Sequence, residues 1–228
     1  MDKEQQVGVV IVAAGESRRM GGVDKVFTLL EGKPLLGRVI NAFQRCNLID
    51  QIVVVVNKQS LERCQQLVAE AGWSKVTNVC AGGRRRQDSV AAGLSRLSHC
   101  HWVVIHDGAR PLVTEDLIEG GLEAARETGA AAAAVPVTDT IKVAGNDRIV
   151  RETPPRGNLW AVQTPQVFRF DIINEAYRQV KAEVTDDASL VEQLGYKVKL
   201  YLGSYDNIKI TTPDDLALAE ILWHKHEK

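Results

Sequence analysis

Unbroken apolar runs alternate with segments of helical spacing through the first half of the chain. Val7–Val12 is a continuous apolar stretch, the signature of a strand buried on both faces. Leu35–Cys46 follows with helical spacing, then Gln51–Val56 as strand, Ser60–Ala71 as helix and Val76–Cys80 as strand. Gln87–Leu97 reads as helix and Trp102–His106 as strand. Thr114–Thr128 reads as a helix with Thr114 as N-cap and Asp116 in its first turn. Ala130–Val135 is assigned as strand despite its alanines, because it ends at Pro136 and keeps the rhythm. Such alternation predicts a largely parallel sheet with helices on both faces.

The pattern then changes. Thr138–Lys142 and Arg148–Thr153 read as short, polar-alternating strands around the turn Gly145-Asn146-Asp147. A hairpin this polar buries little by itself, so it is expected to project as an arm and pack on something else. Trp160–Phe168 resumes the sheet, followed by helices over Asp171–Lys181 and Asp186–Leu194, a strand at Lys197–Leu202 and a helix over Pro213–His224. Thr212 caps that last helix, with Pro213 at its first position and Asp214 and Asp215 in its first turn. The sequence shows no internal repeat, linker or low-complexity segment.

Composition narrows the class. A chain of 228 residues suffices for one large α/β domain, and 45% hydrophobic with 25% charged residues is ordinary for a globular protein. A net charge of -1 gives no global basic field for nucleic acid, so any polyanionic ligand must be held by local cations. No apolar run is long enough for a transmembrane helix, and the polar start is not that of a secretory signal; a cytoplasmic protein is expected. Cys46, Cys64, Cys80 and Cys100 lack paired spacing and read as reduced thiols. Ser98-His99-Cys100-His101 has no second ligand pair to make a zinc site with it.

Polar groups suited to a nucleotide fall in loops that follow strands or the arm. The first strand empties into Ala13-Ala14-Gly15, where small residues let the backbone approach a ligand, followed by Arg18, Arg19 and Lys25. This is neither a Walker loop nor a G-x-G-x-x-G turn. Ala81–Ser89 carries Gly82-Gly83, an arginine run and a helix N-terminus suited to anions. His106-Asp107-Gly108-Ala109-Arg110-Pro111 places a carboxylate where a Mg²⁺ ligand belongs, although Asp107 pairing with Arg110 is the plainer alternative and His106 could point into the core. Gln163-Thr164-Pro165-Gln166 follows the arm, and Thr185-Asp186-Asp187 reads most simply as a helix cap. Tyr205–Thr211 contains Asp206, open between metal ligand and turn residue.

Taken in order, these blocks resemble the 2-C-methyl-D-erythritol 4-phosphate cytidylyltransferase family from Val9 to Glu220. The resemblance rests on Ala13-Ala14-Gly15, Arg19-Met20 and Lys25, on Ala81-Gly82-Gly83, Arg86 and Asp88-Ser89, and on His106–Pro111. It continues through Pro136–Lys142, Leu159-Trp160, Gln163–Gln166, Thr185–Ser189, Asn207–Lys209 and Pro213–Leu216. Two positions depart from the family's usual residues: Ser17 stands where a second glycine is frequent, and Asp24 where a proline precedes the lysine.

The resemblance implies a nucleotide-diphospho-sugar-transferase-like, Rossmann-like α/β fold: one cytidylyltransferase domain over residues 1–228, with residues 137–158 as a β-arm interlocking a homodimer. It implies transfer from CTP to methylerythritol phosphate by in-line attack on the α-phosphate, with Mg²⁺ and release of pyrophosphate. Carried over by position, Arg19, Lys25, Arg156 and Lys209 are the catalytic cations. Ala13, Ala14, Gly15, Gly82, Ser89 and Asp107 are the CTP contacts, with Asp107 also the metal candidate. Thr140, Arg156, Thr164, Thr185 and Lys209 are the acceptor contacts, Thr140 and Arg156 reaching the neighbouring subunit's site. A ribitol 5-phosphate cytidylyltransferase is the nearest alternative, and a non-catalytic nucleotide-binding module the alternative of a different class.

Overall fold

A computed structural model describes residues 5–15, 25–180 and 182–226. The chain begins with strand β1 (Val7–Ala13), a small hairpin β2 (Leu29–Leu30) and β3 (Lys33–Pro34), helix α1 (Leu35–Arg45) and strand β4 (Gln51–Val56). It continues with α2 (Leu61–Ala71), β5 (Val76–Ala81), α3 (Arg86–Leu94), β6 (Trp102–Asp107), α4 (Glu115–Thr128) and β7 (Ala130–Pro136). The arm strands β8 (Val143–Ala144) and β9 (Val150–Glu152) precede β10 (Trp160–Arg169), α5 (Phe170–Gln179), α6 (Asp187–Gln193), β11 (Lys199–Leu202) and α7 (Pro213–His226).

Seven strands form one sheet in the order β11-β7-β10-β6-β1-β4-β5. All pairings are parallel except those of β10, which runs antiparallel to β6 and β7. Its reversal follows from its connection: no crossover helix separates β10 from β7, so the chain can only fold back beside the strand it left. In β1, Val7, Val9 and Ile11 belong to the core under α1, α2 and α4, while Val10 packs into the opposite core with α3, α5 and α6. Full burial of each such Val or Ile stabilises the fold by about 1.5–3 kcal/mol.

The arm departs from the sequence expectation in length. Thr138–Lys142 does not pair, and the ladder is confined to β8 and β9 beside the turn. Every residue from Thr138 to Thr153 is exposed, so neither strand has a sheet face to pack on and only the turn-flanking residues stay paired. Ile141, Val143, Ile149 and Val150 are among its exposed apolar side chains.

The topology fixes where a ligand can sit. From β1 the chain builds outward through β4 and β5, then returns to place β6 on the other side of β1. The carboxyl ends of β1 and β6 therefore flank a topological switch point, the usual ligand crevice of open α/β sheets.

Candidate active site

Two adjoining cavities open at that switch point. The first, about 410 Å³, is lined by Ala13, Ala14 and Gly15 after β1, Lys25, Gly82 and Ser89, and reaches Asp107 and Lys209. The second, about 440 Å³, is lined by Thr164, Gln166 and Thr185, and reaches Arg86, Asp107, Arg110 and Lys209. Arg86, Asp107 and Lys209 line both, so the cavities meet at one carboxylate and two cations.

Small residues are required on the first cavity's wall. A Cβ on Gly82 would stand 2.4 Å from the Ala14 Cβ and 2.5 Å from the Ser89 Oγ. Just behind that wall, a Cβ on Gly108 would stand 2.8 Å from the Ala13 Cβ. Ser89 is buried and its Oγ accepts the Gly83 N–H at 3.2 Å, so it braces the loop that carries the glycines. Lys25 opens a single 3₁₀ turn whose next two residues, Val26 and Phe27, are buried and anchor it at the cavity edge.

The junction is a network of charges held by backbone. Asp107 ends β6; its Oδ2 lies 2.8 Å from the Lys209 Nζ and 3.7 Å from the Arg110 Nε, and its Oδ1 lies 3.4 Å from the Arg86 Nε. Burial alone would raise the Asp107 carboxyl, but Lys209, Arg86 and Arg110 outweigh it and hold it well below the usual carboxylate range. Arg110 donates to the Asn207 carbonyl at 2.7 Å, and Asn207 Nδ2 donates to the Thr164 carbonyl at 2.9 Å. The Ile210 N–H donates to the Ala109 carbonyl at 2.8 Å. These bonds stitch the loops after β6 and β11 to each other and to strand β10, and deliver Lys209 to the junction.

His106 does point into the core, as one of its two sequence readings had it. It is fully buried, its Nδ1 lies 3.2 Å from the Thr164 Oγ1 and its Nε2 lies 3.1 Å from the Arg110 carbonyl. Thr164 Oγ1 also accepts the Asp107 N–H at 3.0 Å, across the register shift in β10 between Val162 and Gln166. The Thr164 hydroxyl is thus engaged with the loop that carries Asp107.

Arg19, Ser17 and Asp24 lie outside the described residues. Thr140 and Arg156 line neither cavity; both are exposed on or beside the arm, where Arg156 donates to the Thr138 carbonyl at 2.8 Å. Asp186 is the N-cap of α6, its Oδ1 accepting the Ser189 N–H at 3.2 Å. Asp206 pairs with Lys225 at 2.7 Å on the protein surface. The Asp107–Arg110 pair is the one the sequence offered as an alternative, but sequence reading missed Arg86 as a member of the charged junction, and Asp187 and Tyr177 behind it. Arg86 Nη1 lies 2.7 Å from the Asp187 Oδ2, and Tyr177 donates its hydroxyl proton to the Asp187 Oδ1. Burial opposes the Arg86 charge, yet Asp187 and Asp107 raise its pKa above the ordinary value.

Among the described residues no three His, Cys, Asp or Glu side chains gather to cage a metal ion. Asp107 is the only carboxylate on the first cavity's described wall, and three cations surround it. This donor set fits a divalent cation only as one that enters with an anionic ligand.

A crevice at the switch point of a mostly parallel sheet, walled by small residues and closed by fixed cations, marks the class: an α/β nucleotidyltransferase. A family model for 2-C-methyl-D-erythritol 4-phosphate cytidylyltransferase matches residues 7–225, and the chain belongs to that family. A protein of that name from Dehalococcoides mccartyi is 54% identical over 221 residues, covering 97% of both chains. Another, from Caldanaerobacter subterraneus, is 48% identical and covers 96% of this chain and 99% of its own. The crystal structure of 2-C-methyl-D-erythritol 4-phosphate cytidylyltransferase from Thermus thermophilus is 35% identical with a TM-score of 0.78, covering 96% of this chain and all of that one. The 4-diphosphocytidyl-2C-methyl-D-erythritol synthase structure from Anaerococcus prevotii is 28% identical with a TM-score of 0.85, covering 97% of this chain and all of that one.

Proposed function

We propose that this protein transfers the cytidylyl group of CTP to 2-C-methyl-D-erythritol 4-phosphate. A phosphate oxygen of the acceptor attacks the α-phosphorus, the bond to the bridging oxygen of the leaving group breaks, and pyrophosphate departs. The observation that carries this reading is the meeting of two cavities at Lys209, Asp107 and Arg86, which would bring a nucleotide and a phosphorylated acceptor together at one charged point.

In this reading Ala13, Ala14, Gly15 and Gly82 let the backbone close on the nucleoside, while Ser89 braces their loop. Lys25 lies at the edge of the nucleotide cavity to neutralise the triphosphate, a role the family resemblance also gives to Arg19. Lys209 draws the acceptor phosphate toward the α-phosphorus, and Asp107 holds the lysine in place and orients the nucleotide. Thr164 and Thr185 shape the acceptor cavity. Because every reactant is anionic, catalysis here is positioning and charge neutralisation rather than covalent chemistry. Mg²⁺ entering with the triphosphate would supply further neutralisation of its oxygens, with Asp107 the nearest carboxylate.

The same reading makes the enzyme a cytoplasmic homodimer joined through residues 137–158. Thr140 and Arg156 lie outside their own chain's cavities, and the arm's exposed apolar residues have nothing to pack against within the chain. Thr140 and Arg156 would then serve the acceptor cavity of the neighbouring subunit.

The test is pyrophosphate release with CTP and Mg²⁺, comparing methylerythritol 4-phosphate with ribitol 5-phosphate as acceptor. Strong preference for the former is expected. Preference for ribitol phosphate would refute the acceptor assignment while keeping the nucleotide half, and release with neither would refute the enzyme reading.

A further inference from the structure

Behind the junction lies a carboxylate that lines neither cavity. Asp187 has no exposed surface, and its two oxygens are committed to Arg86 and Tyr177. Its position is fixed from three sides. The preceding residue, Asp186, caps α6. Gln166 of β10 donates to the Asp186 Oδ2 at 2.8 Å and accepts the Ala188 N–H at 3.0 Å, clamping the start of that helix to the sheet. Tyr177 reaches over from α5 to close the remaining side.

Arg86 stands between two acids. Its guanidinium holds the buried Asp187 at 2.7 Å and the junction's Asp107 at 3.4 Å, and it lines both cavities. The contact with Asp187 is the shorter and the more buried. Asp187 therefore decides where the guanidinium sits, and Asp107 takes what charge is left. Asp107 in turn holds Lys209, whose side chain is 40% exposed and has the freest stem in the cluster.

We propose that Asp187 is a positioning residue for the transfer reaction: with Tyr177 it anchors Arg86, and through Arg86 it sets the Asp107 carboxylate that aims Lys209 at the meeting point of the two cavities. The inference rests on the cytidylyltransferase reading above and assigns it a further residue. Without the Asp187 charge, Arg86 has only Asp107 as a carboxylate partner among the described residues and closes on it. Arg86 and Lys209 then compete for that carboxylate beside Arg110, and Lys209, the most exposed of the three, yields. The cluster also becomes more positive by one charge, so an anionic nucleotide should still bind. Loss should appear in turnover and not in nucleotide affinity.

Asp187→Asn in the full-length enzyme tests this, because it keeps the shape and removes the charge. Misplacement of a catalytic group by about 1 Å costs roughly 10²-fold, so kcat should fall by about 30- to 100-fold. The Kd for CTP with Mg²⁺, measured by calorimetry, should stay within about threefold of the parent. Tyr177→Phe removes only the hydroxyl and should give the same split with a loss of about three- to tenfold in kcat; it carries the test if Asp187→Asn does not fold. In a Lys209→Ala background, either change should cost less than about twofold, because the group being aimed is already gone.

A merely structural Asp187 would lower thermal stability without that coupling. Parental kcat in both folded variants, or losses that multiply fully with Lys209→Ala, would overturn the inference. An inactive parent would instead overturn the cytidylyltransferase reading itself.

Discussion

Acidification below about pH 6.5 should weaken this fold through one side chain, His106, by about 3 kcal/mol. The imidazole has no exposed surface, and its ring meets Phe43 edge-on with centroids 5.2 Å apart. The Arg110 carbonyl can only accept, so Nε2 carries the ring proton toward it and Nδ1 accepts the Thr164 hydroxyl proton, while Thr164 Oγ1 accepts the Asp107 N–H. A second ring proton would meet a hydroxyl already receiving a donor. Burial pushes the His106 pKa from 6.5 down to about 4; Arg110 and Lys209 add to the fall, while the Arg110 carbonyl and Asp107 oppose it.

The sign follows from the depressed folded value. Above 6.5 the ring is neutral in both states and its contribution is fully present. As pH falls from 6.5 toward about 4, only the unfolded chain takes the proton, and stability is lost at up to about 1.4 kcal/mol per pH unit. Urea unfolding of the parent and of His106→Gln, in chelator-containing buffers from about pH 7.5 to pH 4.5, isolates the effect. Burial raises the Asp187 carboxyl, so that group titrates with opposite sign, but it is common to both proteins and cancels in their difference. The parent's advantage over the variant should shrink by about 2–3 kcal/mol across the range. Parallel stability curves would refute the reasoning.

Lys25→Ala should reduce turnover by about two orders of magnitude while CTP binding, weakened, stays measurable by calorimetry; near-parental turnover would remove Lys25 from the mechanism. Arg156→Ala should raise the acceptor KM with little change in the CTP Kd, and a pure CTP defect would mean the arm serves something other than the acceptor. Mixing the Lys25→Ala and Arg156→Ala proteins should restore activity through hybrid dimers. Absence of rescue, once subunit exchange is verified by mass spectrometry, would argue that each site is built from one chain.

Much of the sheet could be read directly because its strands are short apolar runs bounded by turn signals. Val7–Val12, Gln51–Val56 and Trp102–His106 each lie in the observed sheet within a residue of the expected ends. Ala130–Val135 was less obvious, since alanine has little strand preference; position in the alternating order revealed it, and all six residues are buried. What alternation could not supply was direction. β10 carries no mark of antiparallel pairing in its composition, and its reversal depends on the arm that precedes it.

The cavity walls were partly legible, because Ala14 and Gly82 are small for a local reason: the loops after β1 and β5 approach so closely that a Cβ on Gly82 would stand 2.4 Å from the Ala14 Cβ, whereas Gly15 faces open space. The charge network was not. Arg86 and Asp187 are 101 residues apart, and Asp187 in sequence looks like any acidic residue in the first turn of a helix. Only the fold shows that Asp186 alone is the cap and that its neighbour turns inward to a cation. The same holds for Asp107, whose pairing with Arg110 was anticipated as an alternative to ligand binding. Its carboxylate does face Arg110, but Lys209 and Arg86 with it, three cations against Asp107 and the buried Asp187 behind the junction. That surplus of positive charge, held where two cavities meet, needs an anion to complete it, and it is why the junction rather than any single loop is the centre of the site.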